Sequence, residues 1–132
     1  MQIQVGIISV SDRATQGVYE DAGGPALNEA ATGYGWEVLA EDVVPDEIRD
    51  IQRALRTQVN KGCQLILTTG GTGVAPRDVT PEAVREMAVR ELPGFGEVMR
   101  IESMKITPNA ILSRNLAAVI DTALVICLPG KP

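Results

Sequence analysis

Two aspartates and a run of glycines carry the chemistry this chain could do. Asp46 follows one stretch that reads as a strand, and Asp78 follows another. Just before Asp78 the chain breaks into Thr69-Gly70-Gly71-Thr72-Gly73. Glycine permits positive φ and lets backbone N–H groups come close to a ligand. Thr80 is a good N-cap, and Pro81 suits the first helical position, where its missing N–H costs nothing. Strand, glycine loop and helix start, in that order, collect anions at a helix N-terminus. The pattern leaves two readings open, a generic anion site and a tight strand-to-helix turn. It fits neither common nucleotide fingerprint: Val74-Ala75 stands where a P-loop needs Lys followed by Ser or Thr, and Pro76 replaces the last glycine of a dinucleotide turn.

A carboxylate beside phosphates is repulsive unless a cation lies between them. Mg²⁺ is suited to that place, because it binds through one or two carboxylates plus substrate phosphates. Asp78 therefore reads as a metal ligand, or as a helix cap, or as the partner of Arg77. Asp46 reads either as a cap of the next helix or as a second acid of the same site. If the second and third strands are neighbours, both acids project from one sheet edge. Arg77, Lys105 and Arg114 fall in loops or at element ends, where a phosphorylated ligand would use one or two of them. Ser103 and Ser113 lie among them as hydrogen-bond donors. There is no histidine, which removes the usual general base and the commonest transition-metal ligand. Cys63 and Cys127 have no metal-type spacing and read as buried structural thiols.

The elements that must hold these groups alternate. Residues 3–10 become nearly all apolar, as a central parallel strand does. Ser11 and Asp12 mark its carboxyl end, the edge at which open α/β sheets bind ligands. Residues 14–24 read as a long polar loop, and Pro25 opens a helix with Leu27, Ala30, Ala31 and Tyr34 on one stripe. Residues 36–44 form a second strand, followed by a helix whose stripe is Ile48, Ile51, Leu55 and Val59, closed by Gly62. Residues 63–68 form the third strand. The helix after Pro81 turns Val84, Met87 and Ala88 inward and stops before Pro93. Residues 95–104 read as a short helix, 107–109 as a turn or helix start, and 112–120 and 122–128 as two extended segments that meet near Asp121. No repeat or linker interrupts the chain, so residues 1–132 make one α/β domain with a mostly parallel sheet.

Composition excludes several classes. A net charge of −5 leaves no broad basic field for nucleic acid, so an anionic ligand must rely on local positive groups. No segment approaches the run of about 18 apolar residues that spans a membrane, and the N-terminus lacks a basic signal region. A reduced, cytoplasmic setting is the expectation.

With these residues in hand, the chain resembles the molybdopterin adenylyltransferases, the MogA- and MoaB-like family. The resemblance rests on Thr69-Gly70-Gly71-Thr72-Gly73 and on Arg77-Asp78-Val79-Thr80-Pro81-Glu82. Val10-Ser11-Asp12-Arg13-Ala14, Val44-Pro45-Asp46-Glu47 and Glu91-Leu92-Pro93-Gly94-Phe95 agree with it in order. So do Glu102-Ser103-Met104-Lys105-Ile106-Thr107-Pro108, Ile111-Leu112-Ser113-Arg114 and Leu128-Pro129-Gly130-Lys131-Pro132. The resemblance implies a three-layer αβα domain, usually assembled as a trimer, that transfers the adenylyl group of ATP to molybdopterin with Mg²⁺ and releases pyrophosphate. It implies that the product is handed on to a molybdenum insertase. Asp46 and Asp78 match the family's two functional acids, and Gly70, Gly71, Thr72 and Gly73 its phosphate loop. Ser11 and Asp12 fall on its ligand edge, Ser103 and Ser113 match positions of the pterin site, and Pro129 and Gly130 match the nucleotide-side loop. Two positions depart from the pattern: Gly23 stands where many relatives have Ser, and Lys131 where an amide is common. Relatives continue past this point with a further helical segment, so a shortened version of the domain is expected. A non-catalytic pterin-binding or trimerising module is the alternative within the fold. A domain of the competence/damage-inducible type is a third, disfavoured by the short length and by residues 102–108.

Overall fold

A computed structural model describes residues 2–12 and 23–129. Its strands are β1 (Gln4–Val10), β2 (Glu37–Val44), β3 (Leu65–Thr69), β4 (Arg90–Glu91), β5 (Ala117–Ile120) and β6 (Ala123–Leu128). Its helices are α1 (Gly23–Gly33), α2 (Ile48–Asn60), α3 (Thr80–Met87) and α4 (Pro93–Met104), with a 3-10 turn at Pro108–Leu112. The six strands form one sheet in the order β2-β1-β3-β6-β5-β4. The pairs β2–β1, β1–β3 and β3–β6 are parallel, and β6–β5 and β5–β4 are antiparallel. The expected mainly parallel α/β sheet is what forms. Of the two extended segments expected near the C-terminus, 112–120 is strand only from Ala117, with Leu112 still in the 3-10 turn; β5 then pairs with β6 through a turn at Asp121, a non-glycine residue at positive φ (53°).

Alternation along the strands divides the sheet into two faces. On one, Ile8, Val10, Ile66, Val125 and Cys127 join Ile51 and Leu55 of α2 and Ala83 and Val84 of α3 in the main core. Every one of these side chains is buried. On the other face α1 lies against β1 to β3, with Gly23 set directly on the Thr69 side chain. Leu65, Leu67, Leu124 and Ile126 there are only half-buried. Helices on both faces of the sheet give the three layers expected.

Three local expectations are revised. Helix α1 begins at Gly23, inside the stretch read as loop, and Tyr34 lies beyond its end, 75% exposed and stacked on Trp36. Between α3 and Pro93 a two-residue strand intervenes. Gln58, on the buried side of α2, is a polar residue at a core position. Its amide nitrogen donates to the Ile7 carbonyl (3.0 Å) and to Asp42 Oδ2 (2.9 Å), so the cost of burying the amide is partly offset.

Candidate active site

The glycine loop leaves the carboxyl end of β3, near the middle of the sheet. Gly70 and Gly71 take φ of +98° and +70°. A Cβ at Gly70 would run into the Val10 carbonyl, and one at Gly71 into the Thr80 hydroxyl. The four carbonyls of the loop all turn back into the protein. Gly70 O accepts from Thr80 Oγ1 (3.0 Å) and Gly71 O from the Thr80 N–H (3.1 Å). Thr72 O accepts from the Arg114 N–H (2.7 Å) and Gly73 O from Arg114 Nε (2.8 Å). The N–H groups of Gly71, Thr72 and Gly73 have no acceptor among the described residues. Carbonyls in and amides out is the geometry of a backbone anion cradle.

Thr80 is thus not the N-cap of α3. Val79 holds that position, and Thr80 is the first helical residue, buried, with its hydroxyl on the loop. Pro81 does occupy the first turn. Asp78 neither pairs with Arg77 nor caps α3. Its Oδ2 accepts from the Ala75 N–H (2.9 Å) and would stand 2.7 Å from a Cβ at Gly73.

Asp46 is not a helix cap either. Glu47 is the N-cap residue of α2, and its side chain makes no capping bond. Instead Asp46 and Asp12 exchange bonds: the Asp12 N–H donates to Asp46 Oδ2 and the Asp46 N–H to Asp12 Oδ1, each at 2.9 Å. This stitches the end of β1 to the end of β2. Strands β2 and β3 are not neighbours, because β1 runs between them. The two acids meet at the loop all the same. Asp46 Oδ1 would stand 3.2 Å from a Cβ at Gly71. Burial pushes the Asp46 carboxyl above the usual range, and the charges of Asp12 and Asp78 push the same way. Asp78 is therefore close enough to be felt.

Arg77 lies across this group. Its Nε and Nη2 grip both oxygens of Asp12 at 3.0 Å, and Nη1 reaches Glu47 Oε1 at 2.8 Å. That grip holds the Asp12 carboxyl below the ordinary carboxylate range. The pairs are largely exposed and add little stability, so what they supply is position. Arg114, by contrast, is a brace. Besides Gly73 O it binds Asp78 O (2.6 Å) and Glu82 (2.6 Å). Lys105 pairs with Glu102 at the end of α4. All three cations expected near a phosphate therefore have internal partners.

Loss of the Arg114 brace has a definite expected result. Arg114→Met frees two loop carbonyls and should destabilise the fold by about 1.5–3 kcal/mol, the range for hydrogen bonds to a charged group. Part of that depends on pH, because the Arg114 hydrogen bond lowers the Glu82 carboxyl. A lowered carboxylate stabilises the fold above its ordinary range, and this is lost as pH falls through the lowered value. The gap between denaturant melts of wild type and variant should therefore narrow in acid, leaving the part that comes from the two carbonyls. A gap that is the same at neutral and acid pH contradicts the ion pair.

The other expected site residues fall as follows. Ser11 is at the edge, its N–H on the Val44 carbonyl (2.9 Å). Pro129 O accepts from Thr69 Oγ1 (2.9 Å), so this loop does border the end of β3. Gly130 and Lys131 lie outside the described residues. Ser103 sits in the last turn of α4, its carbonyl accepting from the N–H groups of Ile106 and Thr107. No bond joins it to the glycine loop among the described residues. Ser113 donates to Asn115 Oδ1 (3.0 Å) and lines a groove of about 260 Å³ on the far side of Arg114. Arg100 and Gly96 of that groove were missed by sequence reasoning, since an arginine on a helix reads as solvated surface.

Among the described residues no group of three or more His, Cys, Asp or Glu could hold a metal. What the loop offers is two acids. In each, one oxygen is held by a backbone N–H and the other has no hydrogen bond among the described residues. That donor set fits a hard cation whose remaining ligands come from phosphate. The thiols take no part: both are buried, which pushes them up, Cys127 to about 11.

A mainly parallel sheet with a glycine loop and two acids at its carboxyl edge defines an α/β domain with a candidate anion site. The family model described as "Probable molybdopterin binding domain" matches residues 6–132, and the chain belongs to that family. It is 46% identical over 133 residues to a molybdopterin adenylyltransferase of Helicobacter pylori (strain J99), covering 98% of this chain and 76% of the relative. It is 47% identical over 134 residues to the enzyme of that name from Escherichia coli K12, covering 98% and 68%. The crystal structure of the molybdopterin biosynthesis enzyme MoaB from Thermus thermophilus superposes with a TM-score of 0.92 at 45% identity, over 99% of this chain and 83% of that one.

Proposed function

We propose that this protein is a molybdopterin adenylyltransferase: it transfers AMP from Mg-ATP to molybdopterin and releases pyrophosphate. The observation that carries the reading is the glycine loop, whose carbonyls are tied back and whose amides face outward beside two acids. The names of the relatives support the choice of substrates.

In the reaction a terminal phosphate oxygen of molybdopterin forms a bond to the α-phosphorus of ATP. The bond from that phosphorus to the bridging oxygen breaks, and its electron pair leaves with pyrophosphate. The nucleophile is already ionised, so no histidine or thiol is needed. Positioning and charge neutralisation supply the acceleration. The amides of Gly71, Thr72 and Gly73 orient a phosphate. Asp46 and Asp78 would hold Mg²⁺, which would offset the charge that builds on the phosphate oxygens. Asp12 keeps Asp46 aimed, and Arg77 keeps Asp12 in place.

The test is a mixture of protein, ATP, MgCl₂ and molybdopterin. Adenylylated pterin and pyrophosphate should appear one for one, and chelation of the metal should stop both. Pyrophosphate formed at the same rate without pterin, or none with it, overturns the reading.

The resemblance also carries a trimer, and α4 offers a surface for it. Phe95, Val98, Ile101 and Met104 are exposed along that helix, with Ile111 and Leu112 beside it. We assign this apolar face to contact between copies of the chain. No helix among the described residues is long and apolar enough to cross a membrane. A reducing cytoplasmic setting suits the two buried free thiols, and the adenylylated product would pass there to an insertase.

A further inference from the structure

We propose that the groove between α4 and residues 113–116 is a second phosphoryl subsite, anchored by Arg100. Three arginines line it: Arg85, Arg100 and Arg114. Two are matched. Arg85 pairs with Glu91 at 2.7 Å and Arg114 with Glu82 at 2.6 Å. Arg100 has no acidic partner among the described residues. Its Nη1 donates to Asn115 O (2.8 Å) and to Asn115 Oδ1 (3.2 Å), while Nε and Nη2 have no acceptor there. Asn115 Oδ1 is used by Arg100 and Ser113, so the Asn115 amide N–H₂ is left as a further donor. In a chain of net charge −5, this is a half-buried, unmatched guanidinium with an amide beside it.

The arginine is held, not loose. Gly96 lies one turn before it on α4, and a Cβ there would stand 2.5 Å from Asn115 O and 3.1 and 3.2 Å from the two Nη atoms. The bare helix backbone at Gly96 leaves room for the guanidinium close to α4, with its remaining N–H groups unspent. A fixed planar fork of this kind suits phosphate oxygens, where a lysine would offer only a point charge. At about 260 Å³ the groove is small, with a lining of mixed polar and apolar character that has room for an oxyanion group. It adjoins the proposed active site through Arg114, which lines it and also grips Gly73 O and Asp78 O. A phosphoryl group held there sits one arginine away from the cradle.

The subsite itself stands on geometry. The identity of its ligand rests on the adenylyltransferase reading, which offers two sources: the outer phosphates of ATP, leaving as pyrophosphate, and the phosphate of the pterin. The test uses the whole protein. Calorimetric titration with pyrophosphate and with inorganic phosphate is done on wild type, Arg100→Gln and Arg100→Lys, alongside KM for ATP and for molybdopterin. We expect Gln to weaken pyrophosphate about 10-fold or more, the loss of a charge-assisted bond, with Lys between Gln and wild type. A rise in KM for ATP alone assigns the groove to the nucleotide tail, and a rise for molybdopterin alone to the pterin phosphate. If Gln does not fold, Lys stands in, because it keeps one N–H for Asn115 O. Unchanged anion binding and unchanged KM in whichever variant folds overturn the subsite and leave Arg100 a brace for Asn115. If wild type fails to adenylylate, the enzyme reading falls, and the dependence of pyrophosphate binding on Arg100 still decides the subsite.

Discussion

Asp78→Asn should lower pyrophosphate release about 10²–10³-fold, the usual consequence of removing one preorganised charge-stabilising group. The variant separates charge from shape. The amide oxygen it introduces can still accept from the Ala75 N–H, as Asp78 Oδ2 does at 2.9 Å, so the loop keeps its path. What disappears is the carboxylate facing Gly73. Asp46→Asn should lower turnover similarly and leave stability unchanged or raised. The reason is that burial, with the charges of Asp12 and Asp78, already opposes ionisation of Asp46. A group whose folded pKa is raised weighs against the fold once ionised, and the neutral amide removes that weight. Lost activity with intact or improved stability is the mark of strain kept for function. Steady-state turnover and a thermal melt of each variant decide it. If both variants keep more than about a tenth of wild-type turnover, the acids are not the catalytic pair.

The second large effect concerns stability. Gly70→Ala should cost about 2–5 kcal/mol, from about 1–2 for an L-residue in left-handed space and about 1–3 for overpacking. Its φ of +98° lies beyond even the small left-handed well that other residues tolerate. The atom in the way is the Val10 carbonyl oxygen, part of β1 and unable to rotate aside. If Gly70 retreats, its N–H leaves Leu128 O (3.1 Å) and its carbonyl leaves Thr80 (3.0 Å). One methyl thus unseats three elements. Urea titration should show a lower midpoint with an unchanged slope. A loss below about 1 kcal/mol would mean that the loop is not held as described.

Much of this could be read from the chain itself. Apolar runs ending in Ser11-Asp12, Pro45-Asp46 and Thr69-Gly70 marked three strand ends, and the sheet brings all three to one edge. The glycines told of positive φ, and φ is positive at Gly70 and Gly71 but not at Gly73. What could not be read was partnership over long separations. Thr80 and Asp46 both look like caps, because short polar side chains serve nearby N–H groups well. Each found a better partner instead, 10 residues away for Thr80 and 34 for Asp46. Strand order was hidden too: nothing local says that β1 separates β2 from β3. Arg77 next to Asp78 suggests an ion pair, yet its fork fits Asp12, 65 residues away, with two bonds. Arg100 was invisible for want of any local sign that Gly96 clears a seat for it.

The inward turn of the four loop carbonyls has a consequence for how the protein meets its ligand. Two residues, Thr80 and Arg114, fasten the peptide planes from behind, each with its backbone N–H and its side chain, so the donors are aimed before anything arrives. On the proposed reading, an incoming phosphate would exchange its water for amides of the loop that need not reorient. The loop would then serve as a surface set before its ligand arrives, and the amide protons of Gly71, Thr72 and Gly73 are the ones that would register binding.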